Sequence, residues 1–176
     1  RRQRQMCIRD RVSLADTPLG GSTIREFLVG EYDKKDANLL WSALEIVSLD
    51  QRIKEFPLKL DSLLLENASN LSSGEKKRLA IARALVSAQN GWVFLDEPYI
   101  GLNQELIKTI HSNLKNNKQL SIMLVTHNLR MLKPQDKVIF FSDIASPEIG
   151  THSQLLNSSE MYRNYYKSQM LSLIHI

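Results

Sequence analysis

An apolar run that ends in two adjacent acids and a proline, Trp92-Val93-Phe94-Leu95-Asp96-Glu97-Pro98, constrains this chain more than any other stretch. Four consecutive apolar residues suit a strand buried on both faces of a parallel sheet. Pro98 has no N–H to continue a hydrogen-bonded ladder, so the strand stops there. Asp96 and Glu97 therefore fall at the carboxyl edge of a wound sheet, where α/β folds bind ligands. Neighbouring carboxylates repel, and a cation or a substrate water offsets that cost. In phosphoryl transfer the first acid of such a pair holds Mg²⁺ and the second polarises the attacking water. Two exposed acids after a strand also fit a plain solvated loop, so the pair alone does not choose.

The stretches around it extend the sheet. Ser121-Ile122-Met123-Leu124-Val125 is a second apolar run, and residues 103–114 between the two have helix length, which predicts a right-handed strand–helix–strand crossover. Lys137-Val138-Ile139-Phe140-Phe141 supplies a third strand, with helices expected near 153–156 and 160–170. Residues 22–90 read instead as helical, with no strand evident. Ile24, Phe27 and Leu28 open one helix, and Leu39, Leu40, Ala43, Leu44 and Val47 form the apolar stripe of another. A third begins after Asn70, where Ser72 and Glu75 have capping-box spacing, and runs through Leu79, Ile81, Ala82 and Leu85. A helical insertion followed by a wound sheet is the expected organisation.

A net charge of +4 raises the question of an anionic partner, but five arginines and one Asp in residues 1–11 account for all of it. The body is neutral, which argues against nucleic acid. Cys7 is the only cysteine, so no internal disulfide or cysteine-based zinc site is expected. No apolar run approaches the ~20 residues of a membrane-spanning helix. Residues 1–11 and 171–176 lack the patterning of the rest and resemble translated adaptor sequence, so both are set aside from the fold.

Two further elements carry chemistry. Leu71-Ser72-Ser73-Gly74-Glu75 places small and hydroxyl residues at a helix start, where backbone N–H groups and the helix dipole can receive a phosphate; an ordinary capped helix fits the same residues. His127 follows Met123-Leu124-Val125-Thr126, at the end of the strand next in sequence to the Asp96 strand, where a histidine can contact a phosphate or orient a water. Lys76, Lys77 and Arg78 read as a solvated helix face, with a dimer-interface role as the alternative, and His111 and His152 as surface residues without a metal partner. Tyr162, Tyr165 and Tyr166 are expected to pack the last helix.

Taken in this order, the three elements resemble the ATP-binding cassette family. Leu71 to Glu75 resembles its LSGGQ signature with Ser73 and Glu75 as departures, Leu95-Asp96-Glu97-Pro98 its Walker B strand, and Val125-Thr126-His127 its switch histidine. The resemblance covers nearly all of residues 12–170. Ser22-Thr23-Ile24-Arg25-Glu26 is similar to the GTIRE stretch of the exporter branch, residues 61–70 to the segment before the signature with Glu66 at its acidic position, and residues 149–156 to the EQGTHDELL tail.

The resemblance implies an α/β fold, a partial P-loop NTPase core of parallel sheet and flanking helices (residues 91–170) with an all-helical signature subdomain (residues 22–90). It implies ATP and Mg²⁺ as cofactors, with Asp96 serving the metal, Glu97 as general base and His127 sensing the phosphate. Ser72, Ser73, Gly74 and Glu75 would meet ATP held by a second cassette in a head-to-tail dimer, and Gly101, Leu102 and Asn103 would form the loop after Walker B. A membrane domain is expected upstream, with the cassette on the cytoplasmic face of a membrane.

Three departures stand out. None of the seven glycines opens a GxxxxGK[ST] phosphate loop, which the family places upstream of this stretch, so truncation and an inactive fragment are the expectation. Ala15 falls where the coupling glutamine is usual, and Asn103 where the loop after Walker B carries Asp. The rival readings are a soluble cassette acting on ribosomes or DNA, which would bring basic insertions or coiled-coil heptads, and a non-catalytic cassette.

Overall fold

The computed structural model describes residues 11–12, 22–30, 36–88, 91–142 and 146–171. They fall into two compact units, one ending at Thr126 and the other beginning at His127.

The first unit opens with strand β1 (Arg11–Val12), followed by helices α1 (Ile24–Val29), α2 (Ala37–Ile46), α3 (Asp50–Lys54) and α4 (Ser73–Ala88). Thr23 and Glu26 form a capping box at α1, with the Thr23 N–H donating to Glu26 Oε2 at 2.7 Å and the Glu26 N–H to Thr23 Oγ1 at 3.1 Å. Arg25 then grips Asp61 with two hydrogen bonds, 2.7 and 3.2 Å, and so ties α1 to the short 3₁₀ turn Lys59–Asp61. The polar residues of the GTIRE-like stretch are thus spent on local architecture, while Ile24, Phe27 and Leu28 are buried. Leu40, Ala43 and Leu44 on α2 and Val47 at its C-terminal cap are buried too, as are Leu79, Ile81, Ala82 and Leu85 on α4. Each fully buried Leu or Ile contributes about 2 kcal/mol of transfer free energy, so the α2 and α4 stripes account for much of this subdomain's cohesion.

After α4 come β2 (Trp92–Asp96), α5 (Gln104–Asn116) and β3 (Ser121–Val125). The sheet order is β1-β2-β3, all parallel, with Arg11 opposite Phe94 and Asp96 opposite Val125. Arg11, which the sequence reading set aside with the N-terminal end, is thereby part of the sheet.

The expectation that both faces of these strands are buried is corrected. Val93 and Leu95 are buried, but Trp92, Phe94, Met123 and Val125 are exposed and share the opposite face by strand alternation. An apolar run without alternation cannot reveal which face is covered.

The second unit contains a 3₁₀ turn (Leu129–Met131), strands β4 (Lys137–Phe140) and β5 (Glu148–Thr151), and helices α6 (His152–Ser158) and α7 (Glu160–Leu171). The third predicted strand is observed as β4, but it pairs antiparallel with β5 in a separate two-stranded sheet. β5 was not foreseen, because Glu148-Ile149-Gly150-Thr151 offers a single large apolar residue. The core of this unit is Leu129, Leu155 and Tyr162, with Phe140, Tyr165 and Tyr166 packed around them, as expected for the tyrosines.

His152, expected at the surface, is buried at 5% exposure. Its Nδ1 shares a 2.7 Å hydrogen bond with the Tyr162 hydroxyl, and Tyr162 and Tyr166 stand edge-on to its ring. Burial lowers its pKa against the opposing charge of Asp136. Burial also pushes the Tyr162 phenol up to about 12, assisted by Tyr166.

Candidate functional site

At the start of α4 the capping box forms as the spacing predicts. The Ser72 N–H donates to Glu75 Oε2 at 2.7 Å, and the Glu75 N–H donates to Ser72 Oγ at 3.3 Å. The box satisfies the first and fourth amides of this segment; those of Ser73 and Gly74, at the first two helical positions, have no intrahelical partner by geometry. Ser72 Oγ, accepting one bond, retains its O–H as a donor. Ser72 and Ser73 are exposed, whereas Leu71 is buried and anchors the segment.

The Glu75 carboxylate is turned into the protein. Its Oε1 lies 3.2 Å from Arg52 Nε on α3, and Arg52 also bonds Glu55 at 2.9 Å. Burial raises the Glu75 pKa, but the hydrogen bonds from Ser72 and the charges of Arg52 and Arg78 overcome it and hold the carboxyl below its ordinary value. Arg52 is the partner that sequence reasoning missed, since nothing in the chain order links α3 to the signature.

The basic triplet after Glu75 is corrected from a solvated face. Lys77 Nζ donates to the Ile100 carbonyl and Arg78 Nη1 to the Ser48 carbonyl. Burial lowers the Arg78 pKa, with Glu75 opposing it, and its Nε is buried without a hydrogen-bond partner among the described residues. Lys76, Lys77 and Arg78 are all half-buried.

In the same unit, β2 delivers Asp96, exposed at the carboxyl edge of the sheet, and then turns. Glu97 has φ 43°, in the left-handed region that costs a residue with a Cβ on the order of 1 kcal/mol. Its N–H is held by the Val125 carbonyl at 2.9 Å, and Thr126 Oγ1 lies 3.5 Å from its Oε2. The turn closes with the Ile100 N–H on the Glu97 carbonyl at 3.4 Å and the Leu102 N–H on the Tyr99 carbonyl at 3.1 Å, and Gly101 has φ 80°. Pro98 and Tyr99 are buried beneath it. Asn103 caps α5, its Oδ1 accepting from the Leu106 N–H at 2.8 Å. Asn and Asp serve equally well in that capping position, so the departure at 103 leaves the local fold intact.

The fold therefore brings two of the predicted groups together. The signature meets the loop after β2: a Cβ added at Gly74 would stand 3.3 Å from Leu102 Cδ2. Asp96 and Glu97 share their edge of the sheet with Val125 and Thr126. His127 opens the second unit, two residues after β3. Ala15 lies outside the described residues. Among the described residues no three His, Cys, Asp or Glu side chains form a metal-holding group, and no helix is long and apolar enough to cross a membrane.

The family model described as ABC transporter matches residues 4–100. The mitochondrial iron-sulfur clusters transporter atm1 of Aspergillus fumigatus is 31% identical over 163 residues, 90% of this chain and 22% of the relative. The multidrug resistance-like ATP-binding protein MdlB of Buchnera aphidicola is 34% identical over 131 residues, 74% of this chain and 22% of that protein. Among solved structures, a bacterial Atm1-family ABC exporter with ATP bound matches with a TM-score of 0.74 at 24% identity, over 88% of this chain and 27% of that one. That likeness bears on the fold, a mixed α/β arrangement with a small parallel sheet. The chain spans about a fifth of the length of these two relatives, 22% in each case.

Proposed function

This chain belongs to the ABC transporter family, and we propose that it supplies the signature, the catalytic carboxylates and the switch histidine of an exporter's ATP-hydrolysing cassette. One observation carries the reading: Asp96 ends a parallel strand at the carboxyl edge, and Glu97 beside it turns into a left-handed backbone while its N–H stays on the carbonyl of Val125 in the neighbouring strand. Ser48, Lys59, Asn67 and Ala68 also have positive φ, and among these five residues Glu97 is the one that lies at the carboxyl edge of the parallel sheet beside a second acid.

In this reading Glu97 accepts the proton of the attacking water, with Thr126 Oγ1 3.5 Å from its Oε2. Asp96 serves Mg²⁺. A single exposed carboxylate fits that ion, which is held by one or two acids, waters and substrate phosphates more often than by a protein cage. When bound, Mg²⁺ neutralises charge on the β- and γ-phosphates. His127 contacts the γ-phosphate.

The signature acts on the other site of a head-to-tail dimer. Ser72 donates its hydroxyl and Ser73 and Gly74 their amides to ATP held by a second cassette, in the manner of helix N-termini toward phosphate. Glu75 supports that surface through the Ser72 N–H, and its charge is answered by Arg52. Gly101, Leu102 and Asn103 form the loop that reaches the partner, and Ala15 stands at the coupling position. A transmembrane domain would place the cassette at the cytoplasmic face of a membrane; the Aspergillus fumigatus relative is named as a transporter and the Buchnera aphidicola relative as an ATP-binding protein.

The test is phosphate release from ATP by the intact protein with and without Mg²⁺. Release that depends on Mg²⁺ is the expected result; the same rate after complete chelation would remove Asp96 from the scheme.

A further inference from the structure

Lys77 does something that neither helix propensity nor solvation requires. It lies just past the first turn of α4, yet its Nζ donates to the carbonyl of Ile100, 23 residues further on. Ile100 belongs to the turn that begins at Glu97, with φ 43°, and ends at Gly101, with φ 80°. A glutamate at positive φ is opposed by its own Cβ and persists only where its surroundings over-determine it. Of the turn's own bonds, the Leu102 N–H to the Tyr99 carbonyl is ordinary at 3.1 Å, but the Ile100 N–H reaches the Glu97 carbonyl at 3.4 Å, beyond the usual range for such a bond. Lys77 adds a charged donor from a separate element. A Cβ added at Gly101 would lie 3.5 Å from Lys77 Nζ, and one at Gly74 would lie 3.3 Å from Leu102 Cδ2, so the two segments are in contact at two points.

We propose that Lys77 is a positioning residue: its ammonium, on the Ile100 carbonyl, holds the turn behind Glu97 against the signature helix, so that the signature and the catalytic turn of one chain keep a fixed relation. The functional half of this inference rests on Glu97 acting as the base; the geometric half does not.

The experiment compares Lys77→Met, which keeps length and removes the donor, with Lys77→Arg, which returns one. In the intact protein, Lys77→Met lowers kcat for ATP roughly tenfold or more while KM stays within about twofold, because the base is misaimed and nucleotide binding is not touched. Lys77→Arg restores kcat to within about threefold. Amide exchange of residues 99–102 accelerates about tenfold in Lys77→Met, and exchange in the buried part of α4 is unchanged, which verifies the fold. Unaltered kcat and exchange in Lys77→Met would overturn the proposal, as would a raised KM at parental kcat, which would put Lys77 on the nucleotide. Should the parent hydrolyse no ATP, the cassette reading fails on its own and the exchange rates decide for Lys77: faster exchange supports it, equal rates overturn it.

Discussion

The Glu75 carboxylate lies 3.2 Å from the Arg52 guanidinium while its other oxygen caps the Ser72 N–H at 2.7 Å, so the acid at the signature's fifth position is neutralised from behind. Lys76 and Lys77 are the basic residues nearest this carboxylate in the chain. Its charge is answered instead by α3, and Lys77 is occupied with Ile100.

Glutamine accepts from the Ser72 N–H as well as glutamate does, so Glu75→Gln should preserve the box and lose the attraction to the half-exposed Arg52 and to Arg78, a smaller loss than that of the cap. Ser72→Ala removes the cap itself and should cost about 1 kcal/mol. Urea unfolding of the two variants checks the order. A larger loss for Glu75→Gln would mean that the ion pair, and not the cap, holds the signature.

In the second unit, His152 ties stability to pH. Its folded pKa is depressed below the unfolded value of about 6.5 because burial penalises the charged ring. The stability it contributes is therefore fully present above pH ~6.5 and is lost as pH falls from there through the folded pKa. The melting temperature should drop on acidification below pH ~6.5, and His152→Gln should flatten that slope. Identical slopes in the two proteins would assign the acid sensitivity to other groups.

Much of this was legible in the chain. The helical stripes of α1, α2 and α4 and the capping box at Ser72 and Glu75 follow from local periodicity and spacing, which act over a few residues. The β2–α5–β3 unit was readable from two apolar runs and the helix-length gap between them. What escaped was set by contacts distant in sequence. Arg52 reaching Glu75, Lys77 reaching Ile100 and Arg25 reaching Asp61 have no local signal. The burial of His152 depends on a tyrosine ten residues later, and the antiparallel pairing of β4 depends on β5, whose sequence carries almost no strand pattern. The positive φ of Glu97 was hidden for a related reason. Glutamate is not a residue that advertises a left-handed backbone, so only the fold reveals it.

The most direct test of the account is phosphate release by the intact protein beside its Glu97→Gln variant. Glutamine matches the side chain in size and leaves the turn's backbone bonds in place, but it cannot accept a proton. Glu97→Gln should still bind ATP while its turnover falls on the order of 100-fold or more. Equal phosphate release from the two proteins would contradict it.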